Sequence, residues 1–347
     1  MRARPFRLLG LVLASLIAFA VPAGACGGLV GENGTISLVR TTTLAAYHNG
    51  VERYVTSFEF TGEGSEVGSI VPLPGVPSDV ERGGDWTLQR LRQEITPPTF
   101  AAGRAESLAA PQDAAEVLLE TTIDALDITI LRGGGDAVGT WAIDNGFLLT
   151  PDTPEVLDFY AKRSPVFMAA RFDSSRAGEL GQVSGDGTPI MLTIPTAEPW
   201  VPLRILSLGL EATEIVKADV FLLTPEKPQL LAGGGGLSLE RSESASKSLL
   251  ADLRSDKGME WIPQEMWLSH LALDASAEQL DYDLAISTRG DTEPSPVAAG
   301  INPGVLRGIA SDDGAWAIAI GIAVLVAGAG AFVLTGRAVR RRAGDRS

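Results

Sequence analysis

Apolar and polar residues alternate along the first part of the chain in the way that β-strands require. Between positions 51 and 60 every second side chain falls on one face, and Tyr54, Phe58 and Phe60 make that face aromatic. His48-Asn49-Gly50 separates this run from an earlier one, and Asn-Gly is the strongest short hairpin signal. We therefore predict strands at 35–39, 42–47 and 53–60, with His48 at the hairpin.

Helix signals interrupt the strands in the remainder of the chain. Asp85 is a candidate cap for a helix over 86–95, and Thr153-Pro154-Glu155 opens a helix over 156–163. A third helix is predicted at 242–253. Further strands are predicted at 127–131, 166–172, 190–194, 203–208, 218–223, 267–273 and 282–287. Strands outnumber helices without a regular βαβ rhythm, so we predict an α+β fold, mainly antiparallel and β-rich, with a few short helices.

The longest apolar run lies near the carboxyl end. Twenty consecutive residues from 315 to 334 carry no charge, which is enough for a helix to cross the hydrocarbon core of a bilayer. Arg337, Arg340, Arg341 and Arg342 follow the run, and the positive-inside rule places them in the cytoplasm. We predict one transmembrane helix at 315–335 and a basic cytoplasmic tail at 336–347.

The amino end has the features of an export signal. Arg2, Arg4 and Arg7 precede a short apolar run, and Ala23-Gly24-Ala25 offers the small residues that a signal peptidase needs. We predict a signal peptide at 1–25, an exterior domain at 26–288 and a Pro- and Gly-containing juxtamembrane stalk at 289–314. The prediction is a single-pass protein of the plasma membrane with its N-terminal domain outside.

The charge of the chain changes the set of expected partners. The total is −15, and because segments 1–25 and 335–347 carry +3 and +4, the stretch between them carries −22. A body this acidic repels nucleic acid and anionic lipid head groups. We expect no nucleic-acid partner, and any protein partner is unknown.

Cys26 is the single cysteine, so no intramolecular disulfide can form. It stands at the predicted cleavage point, which leaves two interpretations open. One is lipid attachment to the new N-terminal cysteine, and the other is ordinary cleavage that leaves a free thiol. Ala23 departs from the Leu usual at that position of lipoprotein signals.

Residues that could support catalysis or metal binding are sparse. His48 and His270 are the two histidines, and neither has a second ligand type at metal spacing, so we expect no metal site and no cofactor. Carboxylate pairs such as Asp124/Asp127 and Asp281/Asp283 are expected to lie on a solvated face. Ser244-x-x-Lys247 lacks the companion motifs of penicillin-recognising enzymes, so no catalytic residue is assigned.

The predicted transmembrane helix has a small residue at every fourth position. Ala315, Ala319, Ala323, Ala327 and Ala331 would form a ridge along which two helices can approach closely. A homodimer through this helix is therefore one hypothesis, and a general Ala bias of composition is the other.

Residues 68–77, GSIVPLPGVP, join a β-rich run to three prolines, Pro72, Pro74 and Pro77. Proline fixes φ and removes a hydrogen-bond donor, so the prolines end the strand and hold the chain extended. One interpretation is a rigid crossover to the helix after Asp85. The other is an exposed arm that docks a partner.

Several short motifs, taken in order, resemble one bacterial family. Cys26-Gly27-Gly28 follows the signal, and IVPLPGVPSDV, LQRLRQEITPPTF, LDITIL, PVFMAARF and WVPLRI come after it. Trp141 and Asn145-Gly146-Phe147 fit the same order. Over residues 26–288 the chain resembles the bacterial domain of unknown function 2330 family. The resemblance implies no activity and no catalytic residue, and the extra cysteines of some relatives are absent here.

The sequence therefore predicts an uncharacterised membrane-anchored protein of the bacterial cell envelope. Its exterior domain is expected to be a non-enzymatic binding, sensing or scaffold module. The alternative is an envelope hydrolase whose pair of carboxylates is assembled only by folding.

Overall fold

The computed structural model describes residues 28–31, 37–61, 66–95, 115–147, 149–181, 188–232, 234–290, 292–301 and 310–311. Within these ranges no helix is both long and apolar enough to cross a membrane. The predicted signal peptide, Cys26, the predicted transmembrane helix at 315–335 and the predicted tail all lie outside the described residues.

Strands dominate the described chain. They are β1 (Gly28–Gly31), β2 (Ser37–His48), β3 (Val51–Thr61), β4 (Glu66–Pro72), β5 (Asp79–Arg82), β6 (Glu116–Ile123), β7 (Leu126–Arg132), β8 (Val166–Asp173), β9 (Ile190–Pro195), β10 (Trp200–Val201), β11 (Ile215–Thr224), β12 (Gln229–Leu231), β13 (Leu237–Ser244), β14 (Trp267–Ser276), β15 (Leu284–Ser287) and β16 (Ala310–Ser311). The helices are α1 (Thr87–Ile95), α2 (Gly135–Asp144), α3 (Thr153–Ala161), α4 (Ser174–Glu179) and α5 (Lys247–Arg254), with 3₁₀ turns at Arg204–Ser207 and Ala277–Gln279.

The strands form three sheets. The largest has eight strands in the order β16-β13-β14-β11-β2-β3-β9-β5, the second has five in the order β1-β4-β8-β7-β6, and the third has three in the order β10-β15-β12. Neighbours pair antiparallel except β2 with β11 and β13 with β16, which are parallel. The predicted α+β class with mainly antiparallel pairing is therefore confirmed for the described residues.

The two faces of the eight-stranded sheet are both buried. Alternate residues such as Ala45 and Tyr54 join a large apolar cluster that includes the five-stranded and three-stranded sheets, α2 and α3. Their neighbours Leu44 and Val55 point the other way, into a second cluster with α1 and α5. Each fully buried Leu or Val side chain stabilises the fold by about 1.5–3 kcal/mol, so both clusters contribute substantially.

The predicted hairpin at His48-Asn49-Gly50 is confirmed. Asn49 and Gly50 have φ of 53° and 77°, the left-handed conformation that a tight antiparallel turn requires at both central positions. The strands predicted at 35–39 and 42–47 are one continuous strand, β2. It pairs along its length with β3, and its register shifts between Leu38 and Arg40.

Several element bounds differ from the prediction, and three segments also differ in type or placement. The segment 203–208 is a 3₁₀ turn instead of a strand. The segment 242–253 begins as the end of β13, and its helix starts only after Ser246, which caps the Leu249 N–H at 3.1 Å. Residues 292–301, placed in the predicted stalk, pack on the body: Ala299 is fully buried and its carbonyl accepts a hydrogen bond from the Asp283 N–H.

The cap of α1 also differs from the prediction. Asp256, distant in sequence, accepts hydrogen bonds from the Trp86 N–H, the Thr87 N–H and the Thr87 hydroxyl. Asp85 instead forms an ion pair with Arg82 at 2.5 Å. A carboxylate from a remote loop therefore satisfies the first N–H groups of this helix.

Candidate functional site

The candidate site is built on helix α3. Pro154 in its first turn and the acidic Glu155 both favour a helix start at this position. Val156, Leu157 and Tyr160 are buried, and α2 packs so closely that a Cβ on Gly135 would lie 2.8 Å from the Asp158 nitrogen. The helix is thereby fixed on one face, and its opposite face carries charged residues and Phe159.

Asp283 lies beneath helix α3 and binds side chains at the end of that helix. Its side chain is fully buried, and Oδ1 accepts hydrogen bonds from the Tyr160 hydroxyl (2.9 Å), the Leu203 N–H (2.6 Å) and the Arg204 N–H (3.0 Å). Oδ2 accepts from Arg163 Nη2. One carboxylate thus joins α3, the 3₁₀ turn and the start of β15, and its charge is compensated by a guanidinium.

Tyr160 completes this network. Its hydroxyl donates to Asp283 and accepts from the Ile205 N–H at 2.8 Å. Burial, together with the negative charge of Asp283, holds the pKa of Tyr160 well above its usual value. Tyr160 therefore stays a neutral structural donor across the physiological pH range.

Arg163 is held in a cage of aromatic rings. Its guanidinium carbon lies 4.1 Å from the ring centroid of Trp200 and 5.2 Å from those of Phe159 and Tyr160. Its side chain is 8% exposed, and within the described residues its Nε and Nη1 atoms are buried without a hydrogen-bond acceptor. A buried donor without an acceptor costs about 1–3 kcal/mol, and the three aromatic rings around Arg163 offset part of that cost.

A cavity of about 400 Å³ opens beside Arg163. We call it the arginine cavity, and it is lined by Glu155, Asp158, Phe159, Lys162, Arg163, Arg204, Val297, Gly300 and Ile301. Gly300 has a φ of 66°, and a Cβ there would come within 2.2 Å of the Phe159 ring and 2.6 Å of Arg163 Nη1. Only glycine therefore allows this loop to close against the arginine.

Ion pairs surround the opening of the cavity. Arg204 lies 4.3 Å above the Phe159 ring centroid and pairs with Glu155 at 2.5 Å, while Lys162 pairs with Asp158 at 2.5 Å. Val297 adds an apolar side chain that is 63% exposed. The lining therefore combines three cations, two carboxylates and an apolar surface.

A second buried acid, Glu52 on β3, has a contrasting environment. It is fully buried, and neither carboxyl oxygen has a hydrogen-bond partner of ordinary geometry among the described residues, although the Trp200 backbone lies near it. Burial raises the pKa of Glu52 to about 8, and the nearby backbone of Trp200 offsets only part of that rise. Glu52 is therefore protonated at neutral pH.

The three prolines predicted as a docking arm do not line the arginine cavity. Pro72 is the last residue of β4 and pairs with Phe167, Pro77 is buried, and the Ser78 N–H donates to the Thr193 carbonyl at 2.8 Å. Pro74 is half-buried. The segment connects the five-stranded sheet to β5 of the eight-stranded sheet, and a docking role for it stays a prediction.

Three of the four paired carboxylates are not solvated as predicted, and the side chain of Asp124 is 14% exposed. Asp283 is fully buried, and Asp127 is nearly so, with Arg176 2.6 Å and Arg171 3.6 Å from its oxygens. Spacing along the sequence carries no information about such burial. Among the residues that the structure describes, no group of three or more His, Cys, Asp or Glu side chains is placed to hold a metal ion.

Both histidines lie where the sequence placed them, His48 at the end of β2 and His270 in β14. His270 Nε2 is 2.9 Å from Asp219 Oδ1. Sequence reasoning missed Tyr160, Arg163 and Arg204 as site residues. The clustering of charge with aromatic residues in 159–163 and 200–204 was the available signal.

These features define a class: an α+β protein with an arginine-lined cavity at the end of a helix. A family model described as "uncharacterized protein conserved in bacteria", DUF2330, matches residues 20–224, which is more than half of the chain. The chain belongs to this family, as its motifs indicated. Phe159, Arg163, Trp200 and Arg204 lie within the matched residues, whereas Asp283 and the loop at 297–301 follow them.

Other comparisons add little. No curated protein matches the chain. Among solved structures, a crystal structure of baculovirus P35 is similar with a TM-score of 0.41 and 9% identity, over 73% of this chain and 97% of that one.

Proposed function

We propose that the protein is a single-pass protein of the plasma membrane whose acidic exterior domain is a non-enzymatic binding module, with the arginine cavity as its ligand site. The observation that carries the binding site is the cavity of about 400 Å³ itself, where Arg204 lies over the Phe159 ring next to the buried guanidinium of Arg163. The anchor rests on the uncharged run at 315–334 and the arginines after it.

The surroundings of the cavity favour binding over hydrolysis. A carboxylate-based hydrolase needs one acid held protonated and a second held ionised near the reacting bond. Glu155 and Asp158 each have a cation partner, and Asp283 already accepts from four donors. Both carboxylates that line the cavity therefore lie next to cations and not in the apolar surroundings typical of a general acid, so the hydrolase alternative has less support.

The single cysteine makes the membrane topology easy to test. In a Cys26→Ser chain, Val297→Cys should react with a membrane-impermeant maleimide on intact cells, because Val297 is exposed on the exterior domain. Gly344→Cys in the tail should react only after permeabilisation. Labelling of position 344 but not 297 on intact cells would reverse the topology.

Ligand capture can be tested by photo-crosslinking in cells. A photoreactive amino acid at position 297, on the cavity, should form an adduct that mass spectrometry resolves. Ile143 on α2, 61% exposed compared with 63% for Val297, is a matched control position outside the cavity. Adducts that are equal at both positions, or absent at 297, count against the cavity as the ligand site.

A further inference from the structure

We propose, on the basis of that function, that the arginine cavity binds a zwitterionic ligand with an apolar side chain, which is the chemistry of a free amino acid or a dipeptide. The inference comes from the way that cationic, anionic and apolar groups are distributed around the cavity.

The guanidinium of Arg204 is placed to bind the carboxylate of such a ligand. Arg204 lies over the Phe159 ring, and Arg163, whose Nε and Nη1 atoms are buried, adds a second positive charge near the same ring. A planar guanidinium matches the geometry of a carboxylate better than an ammonium does. Arg204 is the more accessible of the two and makes the first contact.

Two carboxylates of the cavity are placed to bind the ammonium group of the ligand. Glu155 and Asp158 are separated by three positions on α3, so they lie on neighbouring parts of the helix surface, and Glu155 is 78% exposed. Their present partners are Arg204 and Lys162. Exposed ion pairs contribute little stability, so a ligand with both charges can replace both partners at small cost.

Apolar residues line part of the cavity and can contact the apolar side chain of the ligand. Phe159, Val297 and Ile301 line the cavity, and Val297 is one of the few large apolar side chains that the described surface exposes. A volume of about 400 Å³ is at the small end of the range for ligand pockets. The cavity therefore suits a ligand of one or two amino-acid residues.

A simple polyanion fits less well. Glu155 and Asp158 line the same cavity as the cations, so a phosphate or a nucleotide would meet like charge at close range. The same two carboxylates are favourable when the ligand carries its own ammonium group.

Calorimetry on the full chain in detergent tests this inference with three matched probes. Leu-Leu presents both charges, N-acetyl-Leu-Leu lacks the ammonium, and Leu-Leu amide lacks the carboxylate. Leu-Leu is expected to bind with a Kd below 1 mM, and capping either end is expected to weaken binding about tenfold or more, because the capped end no longer carries the charge that its partner in the cavity attracts.

Variants assign each charge to its partner. Arg204→Gln should abolish the difference between Leu-Leu and its amide, and Glu155→Gln should reduce the difference between Leu-Leu and its acetylated form. Arg132→Gln is the matched control, because Arg132 also pairs with an exposed Glu, Glu116, but does not line the cavity. Its binding should match that of the unaltered chain.

The outcomes separate this inference from the broader proposal. Equal affinity for the free and the capped dipeptides, or no binding of Leu-Leu below 1 mM, overturns the zwitterionic ligand. If crosslinking at position 297 still captures a ligand in that case, the cavity remains a binding site for another chemical class. If crosslinking fails as well, both proposals fall.

Discussion

Two fully buried carboxyl groups in the same protein have opposite environments. Asp283 accepts three hydrogen bonds on one oxygen and binds Arg163 through the other, whereas Glu52 has no hydrogen-bond partner of ordinary geometry among the described residues. Trp200 lies between the two, with its ring beneath Arg163 and its backbone beside Glu52. Two carboxyl groups that are buried to the same extent therefore differ in their surroundings, because hydrogen-bond donors and a counter-ion surround Asp283 and not Glu52.

The largest expected effect on stability comes from removing the Asp283 carboxylate, both of whose oxygens accept hydrogen bonds. Asp283→Ala leaves the Arg163 guanidinium buried without its counter-ion and removes the acceptor of Tyr160, Leu203 and Arg204. We expect the free energy of unfolding to fall by about 3–5 kcal/mol in urea titrations monitored by tryptophan fluorescence. Asp281→Ala, an exposed neighbour, is the control and should change it by less than about 0.5 kcal/mol.

A small effect of Asp283→Ala, close to that of the control, would contradict the role of Asp283. It would mean that Arg163 reaches solvent or another acceptor once the carboxylate is gone.

The second prediction concerns Glu52, which should make the stability of the protein depend on pH. The unfolded chain loses the Glu52 proton near pH 4.5, but the folded chain retains it to about pH 8. The folded state therefore binds more protons between these values, so stability is fully present below pH 4.5 and is lost as pH rises to about 8. Glu52→Gln should remove this dependence, which we expect to amount to about 2–4 kcal/mol.

The measurement is the difference in unfolding free energy between Glu52→Gln and the unaltered chain from pH 4.5 to pH 9. All other titrating groups are common to both chains, so they cancel in the difference. A buried glutamine amide adds an offset that does not vary with pH. A difference that stays constant with pH would show that Glu52 is ionised in the folded protein.

Asp256 is a third buried carboxylate, and it differs from Asp283 because the donors that bind it at the start of α1 are uncharged N–H and O–H groups. Asp256→Ala removes the acceptor of two N–H groups and one hydroxyl at the start of α1, and should cost about 1–2 kcal/mol. Asp85→Ala tests the cap that the sequence predicted and should cost less than about 1 kcal/mol, as for other exposed ion pairs. The reverse order in thermal unfolding would restore Asp85 as the cap.

Local features of the fold could be predicted from the sequence because their causes are local. Asn49-Gly50 specifies its turn through two positive φ angles, and the run at 127–131 is a strand because polar and β-branched apolar residues alternate along it. The segment 203–208 has the same apolar character, yet it is a 3₁₀ turn. Asp283 accepts the Leu203 and Arg204 N–H groups that a strand would have used in a ladder.

The candidate site could not be predicted for a similar reason. Phe159 and Arg163 were visible as residues of a predicted helix, but the carboxylate that holds Arg163 is 120 positions further along the chain. The split into three sheets also depends on long-range pairs, such as β4 with β8 and β5 with β9. The apolar pattern predicts which residues form strands, and it leaves the partner of each strand undetermined.

Strand β16 has a consequence for how the body meets the membrane. Ala310 and Ser311 pair with Ser238 and Leu239 of β13, at one edge of the eight-stranded sheet. If the transmembrane helix begins at residue 315 as predicted, the four intervening peptide links reach about 14 Å at most. The eight-stranded sheet is then tethered to the membrane at its β16 edge. Its opposite edge, β5, lies about 34 Å from β16, across seven strand spacings.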